Sequence, residues 1–176
     1  MHRLMIVDDE KNVLTALQRL CRAHTSWEIE TYSQPEAALK RAQSANFDLF
    51  LSDYRMPKMN GAKFLSEIKL LQPKAMRIIL SGQTDRKGLL KAINDAEIYR
   101  FIEKPWLDDY LLAAIRQALD FHDILLENSI LADQVREQQT ELTQRKLALE
   151  KYKLAHPDLL FVDWDDDGSV ILNENQ

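Results

Sequence analysis

The sequence predicts an α/β fold: a doubly wound, five-stranded parallel sheet in the order 2-1-3-4-5, flanked by helices, with a long C-terminal helix and a terminal β-hairpin. Two observations carry the sheet. The short apolar runs Leu4-Met5-Ile6-Val7, Leu49-Phe50-Leu51, Met76-Arg77-Ile78-Ile79-Leu80 and Tyr99-Arg100-Phe101-Ile102 alternate with helix-period segments. That pattern marks buried parallel strands in βαβ units. The runs also lead into polar groups, namely Asp8-Asp9, Asp53, Ser81 and Lys104. Ligands of doubly wound sheets bind outside the carboxyl ends of the strands. Three carboxylates, a hydroxyl and a lysine are therefore expected in one crevice, a set suited to moving a phosphoryl group with a divalent metal.

The elements follow in order. After the first strand, Val13, Leu14, Leu17, Leu20 and Cys21 recur at helical spacing. Trp27 to Tyr32 alternates like a second strand. Pro35 then opens a helix carrying Ala37, Ala38, Leu39 and Ala42, proline being suited to a first helical turn. Gly61 leads into Phe64, Leu65, Ile68 and Leu71, a helix ended before Pro73. A fourth helix is expected over roughly Arg86 to Asp95, with Leu89, Leu90 and Ile93 on one face. Residues 1–120 thus make one domain.

The fifth helix has no stop signal at the domain's edge. Neither proline nor glycine stands between Pro105 and Pro157, and at ~1.5 Å per residue such a helix runs roughly 70 Å. Over 121–156 its apolar positions thin into a heptad-like seam: Phe121, Ile124, Asn128, Leu131, Val135, Gln138, Leu142, Arg145, Leu149 and Tyr152. Glu141–Arg145 and Lys146–Glu150 are opposite charges four apart, a modest support for an exposed helix. Half of the lower seam is polar, so the segment reads as a weak coiled coil or as a single solvated helix. An isolated exposed helix is marginal in water, which favours a partner. Residues 157–176 read as a hairpin, Leu159 to Trp164 and Ser169 to Leu172 around Asp165-Asp166-Asp167-Gly168. A lone hairpin needs something to dock on.

Of 176 residues, 45% are hydrophobic and 29% charged, the make-up of a water-soluble globular protein. A net charge of −5 without a basic cluster argues against nucleic acid as a partner. The single cysteine, Cys21, excludes an internal disulfide. With no signal peptide and no apolar run long enough for a bilayer, a cytoplasmic location away from membranes is expected.

The stretches Ile6-Val7-Asp8-Asp9-Glu10, Ser52-Asp53-Tyr54-Arg55-Met56-Pro57, Asn60-Gly61, Leu80-Ser81-Gly82 and Glu103-Lys104-Pro105-Trp106, in order and at proper spacing, resemble a receiver domain of a two-component response regulator. Tyr99 to Trp106 is further similar to receivers attached to HD-GYP-type cyclic-di-GMP phosphodiesterases. The resemblance implies that Asp53 accepts a phosphoryl group as an aspartyl phosphate, donated by a sensor histidine kinase or a phosphotransfer protein. It implies Mg²⁺ held by Asp8, Asp9, Asp53 and the backbone carbonyl of Arg55, with waters completing the shell. Lys104 and Ser81 would hold the phosphoryl oxygens. Such help is needed, because a carboxylate attacking a dianionic phosphoryl group meets like charge. The resemblance also implies a cis bond before Pro105, and a switch in which Ser81 moves toward the phosphate and Phe101 follows.

Read alone, the same residues admit simpler roles. Asp8-Asp9 suits a helix N-terminus, Asp53 a turn, Lys104 a solvated strand end, and Phe101 a static core position. His122 lies near the seam and reads as a packing or surface residue rather than a phosphoacceptor. Asp163-x-Asp165-x-Asp167-Gly168 with Glu174 matches the EF-hand calcium loop, but strand-like flanks replace the required helices, and an acidic turn is expected instead. No helix-turn-helix, GGDEF or HD motif follows residue 120. The expected function is a phosphorylation-dependent switch, without enzymatic output of its own, that acts by homodimerisation through the C-terminal helix or by partner docking. The alternatives are a constitutive scaffold and a phosphorelay intermediate or phosphate sink.

Overall fold

Short strands alternate with helices along the chain in the computed structural model, which describes residues 1–82 and 96–156. The order is β1 (Arg3–Val7), α1 (Lys11–His24), β2 (Glu28–Tyr32), α2 (Pro35–Ala42), β3 (Leu49–Asp53), α3 (Gly61–Leu71), β4 (Met76–Ser81) and β5 (Arg100–Glu103), followed by one long helix, Asp108–Ala155. The expected helix at Arg86 to Asp95, the terminal hairpin and the acidic Asp163–Glu174 loop lie outside the described residues. The five strands pair in parallel in the order β2-β1-β3-β4-β5, as the sequence predicts.

Two-residue alternation explains why the inner strands β1, β3 and β4 are buried on both faces, while the edge strands β2 and β5 each bury one residue. Leu4 and Ile6 of β1 pack with Leu14 and Leu17 of α1 and with Leu111 and Ile115 of the long helix. Met5 and Val7 face the other side and join Ala38 of α2 and Phe64 and Leu65 of α3. Each such buried side chain contributes roughly 1.5–3 kcal/mol relative to exposure. Both faces of β1, β3 and β4 are covered, so polar groups of these inner strands gather at their ends.

The strand ends differ from the sequence reading in informative ways. Asp53 and Ser81 are themselves strand residues, paired with Leu80 and Glu103 across the ladders, so the sheet's own hydrogen bonds fix their backbones. Trp27 falls outside β2, because Thr25 caps α1 and its hydroxyl takes up the Trp27 amide. Arg77 lies within the apolar run of β4 and is buried. Its guanidinium donates to the carbonyls of Ala96 (2.7 Å), Ala75 (2.7 Å) and Pro73 (3.2 Å) and stands 3.5 Å from a Glu97 oxygen. Arginine is tolerated there because its fixed fork satisfies backbone acceptors that would otherwise be unpaired.

Packing divides the chain into two units, Met1–Glu127 and a second that begins at Asn128. The first contains the sheet and the part of the long helix whose Leu111, Leu112, Ala114, Ile115, Ala118, Leu119 and His122 are buried. In the second, the described helical residues are almost all exposed, including the seam residues Leu131, Val135, Leu142, Leu149 and Tyr152. Ion pairs Arg136–Asp133 (2.7 Å) and Arg145–Glu141 (2.8 Å) lie along it. Exposed pairs of this kind contribute at most ~0.5 kcal/mol each. No helix among the described residues is long and apolar enough to cross a membrane.

Candidate functional site

Three charged side chains from three strand ends meet at the carboxyl edge of the sheet. Lys104, just after β5, places its ammonium 2.8 Å from Asp8 Oδ2 and 2.6 Å from Asp53 Oδ1. Asp8 is fully buried and Asp53 nearly so, while the lysine side chain keeps 21% exposure. The other Asp8 oxygen accepts the Glu10 amide at 2.9 Å, and Asp53 Oδ2 accepts the Arg55 amide at 2.6 Å. Burial pushes the Asp8 carboxyl above its ordinary range, against the pull of Lys104 and the Glu10 amide. Burial alone would lower the Lys104 ammonium, but its bonds to Asp53 and Asp8 outweigh this and hold it above the usual lysine range. The lysine is thus held charged between two carboxylates.

The loop after β3 forms the site's wall. Tyr54 bonds back to Leu80, and Gly61 donates to the Tyr54 carbonyl at 2.9 Å. Asn60 caps α3 by accepting from the Lys63 amide at 2.8 Å, the favoured chemistry of an N-cap. Gly61 is there because a Cβ would overlap the Asp53 carbonyl oxygen and come within 2.9 Å of Ser52 Oγ. The sequence shows Asn60-Gly61 as a helix start, but not this close approach to the chain beneath Asp53. Lys58 adopts a φ of 66° in the same loop, an uncommon conformation for a residue with a side chain.

The other expected residues are placed as follows. Ser81 is buried at the end of β4, and its carbonyl accepts the Lys104 amide at 2.8 Å. The Lys104-Pro105 bond is cis. Asp9 is exposed beside Asp8. Arg55 joins through its amide. Phe101 is 48% exposed and borders an open cleft with Tyr99, Trp106, Leu107 and Tyr110. A static core position, one of the readings open for Phe101 from sequence, is therefore not what the fold provides.

The donor set at this edge suits Mg²⁺. Asp8 and Asp53 already converge on one cation, the Lys104 ammonium, and every candidate donor is oxygen, which suits a hard divalent ion. Among the described residues no three carboxylate, imidazole or thiol groups form a ready-made cage. Mg²⁺ does not require one, since it keeps several waters and takes one or two carboxylates with phosphate oxygens. The residues fit.

Residues 4–116 match the family of response regulator receiver domains. The chain belongs to that family. It is 33% identical over 117 residues to the hydrogenase transcriptional regulatory protein HoxA of Cupriavidus necator, covering 66% of this chain and 24% of HoxA. It is 28% identical over 151 residues to the response regulator protein TodT of Pseudomonas putida, covering 86% of this chain and 66% of TodT. The chain therefore spans about a quarter of HoxA's length. Among solved structures it resembles the signal receiver domain of an HD domain-containing protein from Pseudomonas fluorescens Pf-5, with TM-score 0.68 and 35% identity over 72% of this chain and 92% of the other. A receiver domain protein from Clostridium thermocellum gives 0.66 and 26% over 71% and 99%. Receiver domains are signalling modules rather than enzymes in the ordinary sense, and they receive their signal from histidine kinases or phosphotransfer proteins.

Proposed function

We propose that this receiver is a phosphorylation-dependent switch whose phosphoacceptor is Asp53. The observation that carries the reading is the single ammonium of Lys104 shared by Asp8 and Asp53. It supplies positive charge at the atom where a phosphoryl group would arrive. An Asp53 carboxylate oxygen would attack the phosphorus of a phosphohistidine on a sensor kinase or phosphotransfer protein. The P–N bond breaks as the P–O bond forms, and the imidazole leaves with the electron pair and regains a proton from solvent. Receivers are generally Mg²⁺-dependent; Asp8, Asp9, Asp53 and the Arg55 carbonyl would hold the ion, which when bound supplies further charge to the phosphoryl oxygens. Lys104 then turns its ammonium from the carboxylates to one phosphoryl oxygen, and the Ser81 hydroxyl donates to another.

Output follows from what these groups touch. Ser81 shares a backbone hydrogen bond with Lys104 and lies on β4, beside the strand that presents Phe101 to solvent. Drawing Ser81 toward a phosphate opens room for the Phe101 ring, shifting a population rather than making a new fold. The exposed seam at Leu131, Val135, Leu142 and Leu149 supports homodimerisation through the long helix; the switch would act in the cytoplasm on a downstream protein partner. Light-scattering mass of the full chain in Mg²⁺, with and without beryllofluoride, tests this output. A mass change in the wild type and none in Asp53→Asn supports it. An unchanged dimer in every state favours a constitutive scaffold, and rapid loss of a phosphoryl label from Asp53 without any change in assembly favours a relay or phosphate sink.

A further inference from the structure

At the opposite end of the sheet from Asp53, two histidines and two aspartates alternate in a closed ring. His2, just before β1, places Nδ1 3.6 Å from Asp48 Oδ2 and Nε2 3.5 Å from Asp123 Oδ2. His122 of the long helix places Nε2 3.9 Å from Asp48 Oδ1 and Nδ1 3.5 Å from Asp123 Oδ1. Each imidazole stands between two carboxylates, and each carboxylate offers one oxygen to each imidazole. A neutral imidazole has one N–H and one lone pair, so it would aim that lone pair at a carboxylate. Only an imidazolium donates from both nitrogens. His122 cannot turn to water instead, because its side chain is 5% exposed and its Nδ1 is buried without a hydrogen-bond partner.

One filling matches the alternation at every contact. Two imidazoliums and two carboxylates alternate in sign and sum to zero. A metal ion does not substitute, since the two nitrogens of each ring are divided between different carboxylates and share no centre. Arg3 gives Asp48 Oδ2 its backbone amide at 2.8 Å while its guanidinium is engaged by Glu28 and Glu30. Lys74 lines the cleft shared by Asp48, His122, Asn46 and Leu126. The four ring contacts are longer than the ~2.9 Å of an N–H···O bond, so protonation has room to draw the groups together.

We propose that this ring is a proton-operated clasp. Protons taken up by His2 and His122 close it, tying the start of β1 and the entry to β3 to the helix turn just before Glu127, where the first packing unit ends. Loss of those protons loosens that turn. The device is separate from the phosphoryl site.

Hydrogen exchange of the full chain, corrected for intrinsic rates, tests it at about pH 5.5 and about pH 8. Protection of residues 119–127 is expected to be about tenfold greater at the lower pH, while β4 amides do not change. His2→Asn and Asp123→Asn, both at partly exposed positions, should keep the pH 8 protection of the wild type and lose its rise at pH 5.5. Imidazole ¹⁵N shifts should show His122 protonated on both nitrogens at pH 5.5. Equal protection at both pH values, or a rise that persists in His2→Asn, overturns the clasp.

Discussion

Asp8 has no solvent exposure, yet Lys104 reaches it at 2.8 Å while also holding Asp53. One ammonium thus balances two carboxylates, and burial leaves Asp8 with a raised pKa. A carboxyl whose folded pKa lies above its unfolded value costs stability once pH has risen through that folded pKa. The cost vanishes below the unfolded value. Asp8→Asn should therefore raise the unfolding midpoint at pH 7 by a few degrees and lose this advantage as pH falls toward 4. It should also impair phosphorylation. Thermal unfolding at the two pH values checks the sign.

Lys104→Met should leave two near-buried carboxylates without a counter-charge. Removing one partner of a buried ion cluster costs about 3–5 kcal/mol, and the loss should shrink in acid as a carboxylate takes up a proton. Urea unfolding from pH 7 to pH 5 measures it. Phosphoryl acceptance by Asp53 should fall by about 100-fold or more, the scale of a lost electrostatic stabiliser.

Glu30 sets an acid limit far from the site. Arg41, donating at 2.8 and 2.9 Å, together with Tyr32 and Arg3, lowers its pKa from 4.5 to about 2. A depressed pKa contributes stability that is present above pH 4.5 and is lost as pH falls from there toward 2. Screening at this partly exposed site leaves about 1–2 kcal/mol. Glu30→Gln should flatten that part of the stability profile, which unfolding between pH 5 and pH 2.5 would reveal.

Gly61→Ala would force a methyl against the Asp53 carbonyl. Backbone must move to relieve the overlap, so about 1–3 kcal/mol of stability should be lost, together with most phosphorylation. Phe101→Ala should behave oppositely. Its half-exposed ring contributes under ~1 kcal/mol to folding, so melting should barely change, while beryllofluoride should no longer alter the mass of the full chain.

Much of this was legible in the sequence because each level agreed. Apolar runs gave the strands, the polar residues after them marked where Asp8, Asp53 and Lys104 meet, and the absence of glycine and proline between Pro105 and Pro157 gave the long helix. Arg77 was hidden because a buried cation looks like an error in an apolar run until its backbone acceptors are seen. Gly61 was visible as a helix start, but its contact with Asp53 depends on how two elements meet. The histidine ring was illegible for a similar reason. His2 and His122 are distant in sequence and are joined only when β1 and the long helix pack together.

Intact-mass spectrometry after incubation with acetyl phosphate and Mg²⁺ tests whether Asp53 is the phosphoacceptor. The wild type should gain one phosphoryl group, mapped to Asp53 and released by hydroxylamine, and Asp53→Asn should gain none. A wild type that gains nothing, or an Asp53→Asn chain that gains as much as the wild type, would contradict the assignment of Asp53 as phosphoacceptor.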